Sequence, residues 1–152
     1  MKFRIENHGY QCLVYTALAR NITLHDMPEE VSWVTQLTVD RLPSLEKMLS
    51  RWDGPVSAAL YSRDVALDVK EIERFRDRVD FHIVGASQGL YPVNTLRNVA
   101  LNNARAGHVI LADVDFIPSV GLYDTIRLSI PTLLTVYRVW RTIYPEPQAC
   151  KS

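Results

Sequence analysis

The sequence predicts an α/β fold built on a doubly wound, mostly parallel sheet, and three observations carry that expectation. Between residues 30 and 130, β-branched and aromatic runs alternate with amphipathic stretches at helical spacing. The breaks between them are short and chemically specific, Asp53-Gly54-Pro55 being the clearest. The run Val109-Ile110-Leu111-Ala112 is continuously apolar rather than alternating, which is the pattern of a strand covered on both faces.

Taken in order, Val31 to Thr38 is β-branched and aromatic-rich and reads as the first strand. Asp40 then offers an N-cap, and Pro43 falls where a first helical turn tolerates it. Leu42, Leu45, Met48, Leu49 and Trp52 recur at helical spacing. Val56 to Tyr61 is a second strand. Asp64 caps a second helix with Val65, Val69, Ile72 and Val79 on its apolar face and Glu71, Glu73, Arg74, Arg76 and Arg78 on its solvated face. Phe81 to Val84 is a third strand, and Gln88 to Pro92 a loop. A third helix runs from about Val93 to Ala106 and closes at Gly107. His108 to Phe116 follows as a strand and Gly121 to Ile130 as a short helix. The chain therefore divides into a poorly defined segment over 1–29, an α/β domain over 30–130 and a divergent tail over 131–152.

Composition narrows the function classes. The 152 residues carry 17 Lys+Arg against 17 Asp+Glu, a balance that argues against a nucleic-acid coat or a polybasic membrane-surface protein. At 47% apolar content the chain is an ordinary globular sequence rather than a disordered one. The two cysteines, Cys12 and Cys150, are too few for a disulfide scaffold or a zinc site, and His8, His25, His82 and His108 lack ligand spacing. Met1 to His8 holds no apolar core of a signal peptide, and no stretch reaches the roughly 20 apolar residues of a membrane span. Taken alone, those features predict a cytosolic chain. Asn21-Ile22-Thr23 stands against them as an N-glycosylation acceptor triplet.

The residues that carry chemistry are Asp113 and Asp115, in Leu111-Ala112-Asp113-Val114-Asp115-Phe116. Buried strands rarely end in two carboxylates, because unpaired burial of charge is costly. A spacing of two on an extended chain points both side chains to one side. The C-terminal end of a parallel strand is also where open α/β sheets hold ligands. Paired hard oxygens suit Mn²⁺ or another divalent cation such as Mg²⁺, whose shell a substrate phosphate completes. On the helix before them, Asn94, Arg97 and Asn98 form one stripe. There the Arg would clamp phosphate and the Asn amides would bond sugar hydroxyls, or the stripe is an ordinary solvent face.

Four blocks resemble, in order, the LARGE-like glycosyltransferases of glycosyltransferase family 49. They are Val34-Thr35-Gln36-Leu37-Thr38-Val39-Asp40-Arg41-Leu42, Trp52-Asp53-Gly54-Pro55-Val56-Ser57-Ala58-Ala59-Leu60-Tyr61, Tyr91-Pro92-Val93-Asn94-Thr95-Leu96-Arg97-Asn98-Val99-Ala100 and Leu111-Ala112-Asp113-Val114-Asp115-Phe116-Ile117-Pro118. The resemblance implies a GT-A fold, a Rossmann-like nucleotide-sugar domain with a Mn²⁺-binding Asp-x-Asp. It implies an inverting transferase that takes a UDP-sugar donor, UDP-glucuronate above all, and passes the sugar to a glycan or glycoprotein acceptor such as the O-mannosyl-type glycan of α-dystroglycan. Asp115 would bind the metal and Asp113 the metal or the ribose. Thr35, Gln36, Asn94, Arg97 and Asn98 would face the nucleotide-sugar. The family's members are type II membrane proteins of the Golgi, which would make Asn21 a lumenal glycosylation site and the membrane anchor a feature expected outside this chain.

The tail departs from that pattern. Pro131 to Ser152 does not align with the acceptor-binding half, so the catalytic base is expected outside this chain. Two other readings compete. A truncated, non-catalytic relative would bind a donor or a partner without turnover, and the divergent tail favours it. A phosphotransferase using Asp-x-Asp as nucleophile and acid would need the motif at its first strand, whereas here it stands late in the chain.

Overall fold

A computed structural model describes the protein over residues 3–7, 13–17, 30–85 and 91–133. Six strands form one sheet: β1 (Phe3–Asn7), β2 (Leu13–Ala17), β3 (Val31–Leu37), β4 (Val56–Ser62), β5 (Val79–Gly85) and β6 (His108–Leu111), in the order β1-β2-β5-β4-β3-β6. The four strands β5, β4, β3 and β6 run parallel, while β2 joins β5 antiparallel and β1 joins β2 antiparallel. Four helices cover it: α1 (Leu42–Leu49), α2 (Val65–Ile72), α3 (Val93–Asn102) and α4 (Leu122–Leu133). None of the described helices is long and apolar enough to cross a membrane.

The side-chain alternation of the central strands sorts the two faces. Val31, Trp33 and Leu37 of β3, Val56, Ala58 and Leu60 of β4, and Val79, Phe81 and Ile83 of β5 pack with Leu42, Leu45 and Met48 of α1, Ile72 of α2 and Ile130 of α4. The opposite face packs Val34, Ala59 and Val84 against Leu96 and Ala100 of α3. Helices on both faces of a mostly parallel sheet make the fold doubly wound, as the alternation of the sequence predicts.

That second face also carries a buried polar layer. Asp80 and Arg105 form a bidentate pair at 2.6 Å, with both side chains almost fully buried. Beside it, Ser57 Oγ donates to the Ala100 carbonyl at 2.7 Å and lies 2.9 Å from His82 Nε2. A serine hydroxyl has one proton, so the imidazole Nε2–H is the donor to Ser57. Burial, helped by the Arg105 charge, pushes His82 down to about 4, which keeps it neutral.

Several boundaries differ from the sequence expectation, each for a physical reason. Asp40 does not cap α1. It lies in a 3-10 turn (Val39–Arg41), where its carboxylate pairs with Arg41 Nε at 3.6 Å. Val79 opens β5 rather than ending a helix, because a second 3-10 turn at Glu73–Phe75 finishes α2 early. The third helix stops at Asn102, with Asn103 as its C-cap, five residues short of Gly107. Residues of the 1–29 segment do join the fold, as the two antiparallel strands that widen the sheet beyond β5. Finally, β6 is only four residues long and is not covered on both faces: Val109 is 41% and Leu111 50% exposed. It is the last strand on its side of the sheet, and α3 crosses over β3 and β4 instead.

Candidate functional site

The chain order β3, β4, β5 proceeds across the sheet in one direction, and β6 then returns to the other side of β3. The crossovers through α1 and α2 lie on one face, and the crossover through α3 lies on the other. The sheet therefore has its topological switch point between β3 and β6, and strand ends diverge there to leave a crevice. A cleft of about 310 Å³ opens at that point, lined by Gln36, Leu37, Thr38, Arg41, Tyr91, Asp113, Val114 and Asp115. A second cavity, about 250 Å³, lies at the opposite end of the strands beside Asp53, Gly54 and Tyr123.

Asp113 and Asp115 reach the first cleft by a route other than an extended strand. The ladder ends at Leu111, Ala112 N donates once more to Val34 O at 3.1 Å, and the chain then turns, with Phe116 N donating to Asp113 O at 3.0 Å. Val114, only 4% exposed, is driven into the core between them. Burying this one valine fixes the turn and leaves the two flanking carboxylates at the cleft.

Their surroundings differ. Asp113 Oδ1 accepts from Gln36 Nε2 at 2.8 Å and from Arg97 Nη2 at 2.7 Å. Gln36 is itself oriented by Tyr91, whose hydroxyl donates to its Oε1 at 2.8 Å, and Tyr91 packs edge-on against Tyr61 at 5.3 Å. Burial, then the Asp113 charge, push the Tyr91 phenol up to about 12, against the opposing pull of Arg97; Asp40 adds a smaller push. Asp115 sits in the open. Ser44 Oγ of α1 donates to its Oδ1 at 3.0 Å, and Arg41 Nη1 lies 3.4 and 3.5 Å from its two oxygens.

Of the residues singled out from sequence, Gln36, Asp113 and Asp115 line the cleft. Arg97 reaches it through its ion pair with Asp113. Asn94 and Asn98 stand exposed on α3 and do not line it. Thr35 faces the other way: it is fully buried on the α1 side of the sheet, and its Oγ1 has no hydrogen-bond partner among the described residues. Asn21, Cys12 and Cys150 lie outside the described residues. Sequence reasoning missed Arg41, Ser44 and Tyr91 as site residues. Their signal was position: Arg41 and Ser44 lie in the turn and first helical turn that follow β3, and Tyr91 stands just before α3, the crossover to β6.

A divalent cation fits this donor set. Two carboxylates share one cleft with a hydroxyl, hard oxygen donors of the kind that Mn²⁺ or Mg²⁺ takes one or two at a time beside phosphate. Among the described residues no group of three or more His, Cys, Asp or Glu side chains comes together.

The open α/β sheet is of the GT-A-like kind, and the chain belongs to the family described as glycosyl-transferase for dystroglycan, which matches residues 30–88 and 77–138. Its similar relatives include the xylosyl- and glucuronyltransferase LARGE2s of Gallus gallus, 41% identical over 125 residues, which is 78% of this chain and 17% of that protein. The human LARGE2 enzyme is 42% identical over 113 residues, covering 70% of this chain and 16% of its own length. The LARGE1 enzyme of Danio rerio is 39% identical over 111 residues, 68% of this chain and 15% of its own. The chain thus spans about a sixth of the curated relatives it matches.

Proposed function

We propose that the cleft between β3 and β6 is a donor site that binds a UDP-sugar, UDP-glucuronate foremost, together with Mn²⁺ or another divalent cation. The single observation that carries this reading is the placement of Asp113 and Asp115 in one cleft at the switch point of a sheet from this family. Relatives named for xylosyl and glucuronyl transfer support a sugar donor.

The protein's own groups divide the work. Asp115, exposed and oriented by Ser44, is the carboxylate open to a cation. Asp113, fixed on Oδ1 by Gln36 and Arg97, offers a rigid acceptor for a metal ligand or a ribose hydroxyl. Arg97 and Arg41 supply positive charge where a diphosphate would lie. Gln36 and Tyr91 form the wall that would meet the nucleoside. Bound beside them, a divalent cation supplies charge neutralisation for a departing diphosphate. Inverting attack further needs an acceptor glycan and a base. The setting we propose is the Golgi lumen, on the resemblance and the Asn21-Ile22-Thr23 triplet.

Calorimetric titration of UDP with and without Mn²⁺, on wild type and Asp115→Asn, tests the reading. Mn²⁺ should tighten UDP binding by about tenfold or more in wild type, and Asp115→Asn should abolish that gain. Equal affinity in all four conditions would remove the cation site and the donor reading with it.

A further inference from the structure

The position of Arg41 has a chemical consequence. Its guanidinium spans two carboxylates, with Nε 3.6 Å from Asp40 Oδ2 and Nη1 3.4 Å from Asp115 Oδ1. It therefore stands against the one aspartate of the pair that no buried partner secures. Asp113, by contrast, is held by two short bonds on a single oxygen. Asp115 has a cationic group resting on both of its oxygens at long, loose distances.

We propose that Arg41 is an exchangeable counter-ion of Asp115: it neutralises the carboxylate while the cleft holds no cation, and a divalent cation must displace it to bind. This rests on the cation reading above and adds a resident competitor to it. Three features support exchange rather than a fixed pair. Both side chains are more than half exposed, 54% for Arg41 and 58% for Asp115, so solvent screens their attraction and separation costs little. The contacts at 3.4 and 3.5 Å are too long for strong charge-assisted hydrogen bonds. Asp40 gives the displaced guanidinium an anion to remain beside, so the freed charge stays at the rim of the cleft instead of being lost from it. Ser44 acts differently: a hydroxyl keeps two lone pairs, so it can remain on Asp115 without opposing a cation.

The test is direct Mn²⁺ titration of the nucleotide-free chain, following free Mn²⁺ by electron paramagnetic resonance. Wild type, Arg41→Gln, Arg41→Lys and Asp115→Asn are compared, with circular dichroism confirming that each is folded. Arg41→Gln should bind Mn²⁺ about two- to fivefold more tightly than wild type, the factor that an exposed ion pair represents. The gap should narrow as salt is raised. Arg41→Lys should stay near wild type, because it keeps the competing charge, and Asp115→Asn should lose the site. If Arg41→Gln and wild type bind Mn²⁺ equally, and Asp115→Asn abolishes binding, the competition is refuted while the cation site stands. If Mn²⁺ binding is absent or indifferent to Asp115 in every variant, both readings fall.

Discussion

Two donors converge on Asp113 Oδ1, and the chain Tyr91–Gln36–Asp113–Arg97 holds each of its members by the next. The Tyr91 phenol reports on that chain. Asp113→Asn removes a negative charge that helps hold the phenol near 12, so Tyr91 should ionise at lower pH. Ultraviolet titration of phenolate, with Tyr91→Phe to assign the signal, reads the shift; an unchanged profile would separate Tyr91 from the carboxylate. A second residue-scale outcome concerns His82. The unfolded imidazole protonates near its ordinary 6.5 while the folded one resists until about 4, so the unfolded state binds more protons between those values. Stability should be intact above pH 6.5 and should fall as pH drops toward 4, by at most about 3 kcal/mol from this group. Urea unfolding of wild type and His82→Gln at pH 7.5 and 4.5 measures it. The loss between the two pH values should be smaller in His82→Gln; equal losses would assign the acid sensitivity to other groups. At this scale the sequence made the two aspartates legible by their place after an apolar strand, and Gln36 through the family resemblance. It hid Thr35's true direction, because a single residue near a strand end lies on one face or the other according to register alone.

The elements were legible where periodicity is long and strong. The apolar face of α1 matches the residues buried there, Leu42, Leu45 and Met48. Asp64 caps α2 as its chemistry requires, accepting from Leu67 N at 3.1 Å. Boundaries were less legible, because 3-10 turns at Val39–Arg41 and Glu73–Phe75 look helical in composition but change the direction of the chain. The break Asp53-Gly54-Pro55 has a packing reason that no turn rule shows. A Cβ on Gly54 would lie 2.3 Å from Tyr123 Cε2, and Tyr123 packs edge-on against Trp52, which in turn packs against Trp33. Gly54→Ala must therefore push Tyr123 off Trp52. It should cost about 1–3 kcal/mol, the range for overpacking, and lower the thermal midpoint by several degrees. An unchanged midpoint would mean that Tyr123 moves freely and that the aromatic row carries no stability.

On the scale of the molecule, fold class followed from strand–helix alternation, while the width of the sheet did not. β1 pairs antiparallel with β2, and β2 with β5, so a search for alternating parallel units passes over them. The continuous apolar run of β6 misled in the other direction. Continuity signals coverage by neighbours, yet among the described residues Val109 and Leu111 are left in the open. In the proposed reading the cleft supplies charge and nucleotide contacts, and positioning a nucleophile, which can account for roughly 7–11 kcal/mol of a barrier, is a separate requirement of transfer. Crystals grown with Mn²⁺ and UDP, measured at a wavelength where manganese scatters anomalously, locate the cation and the nucleotide together. An anomalous peak is expected roughly 2–2.5 Å from an Asp115 oxygen, with UDP lying between β3 and β6 against Gln36 and Tyr91. UDP at the opposite end of the strands, near Gly54 and Tyr123, or a manganese peak away from both aspartates, would contradict it.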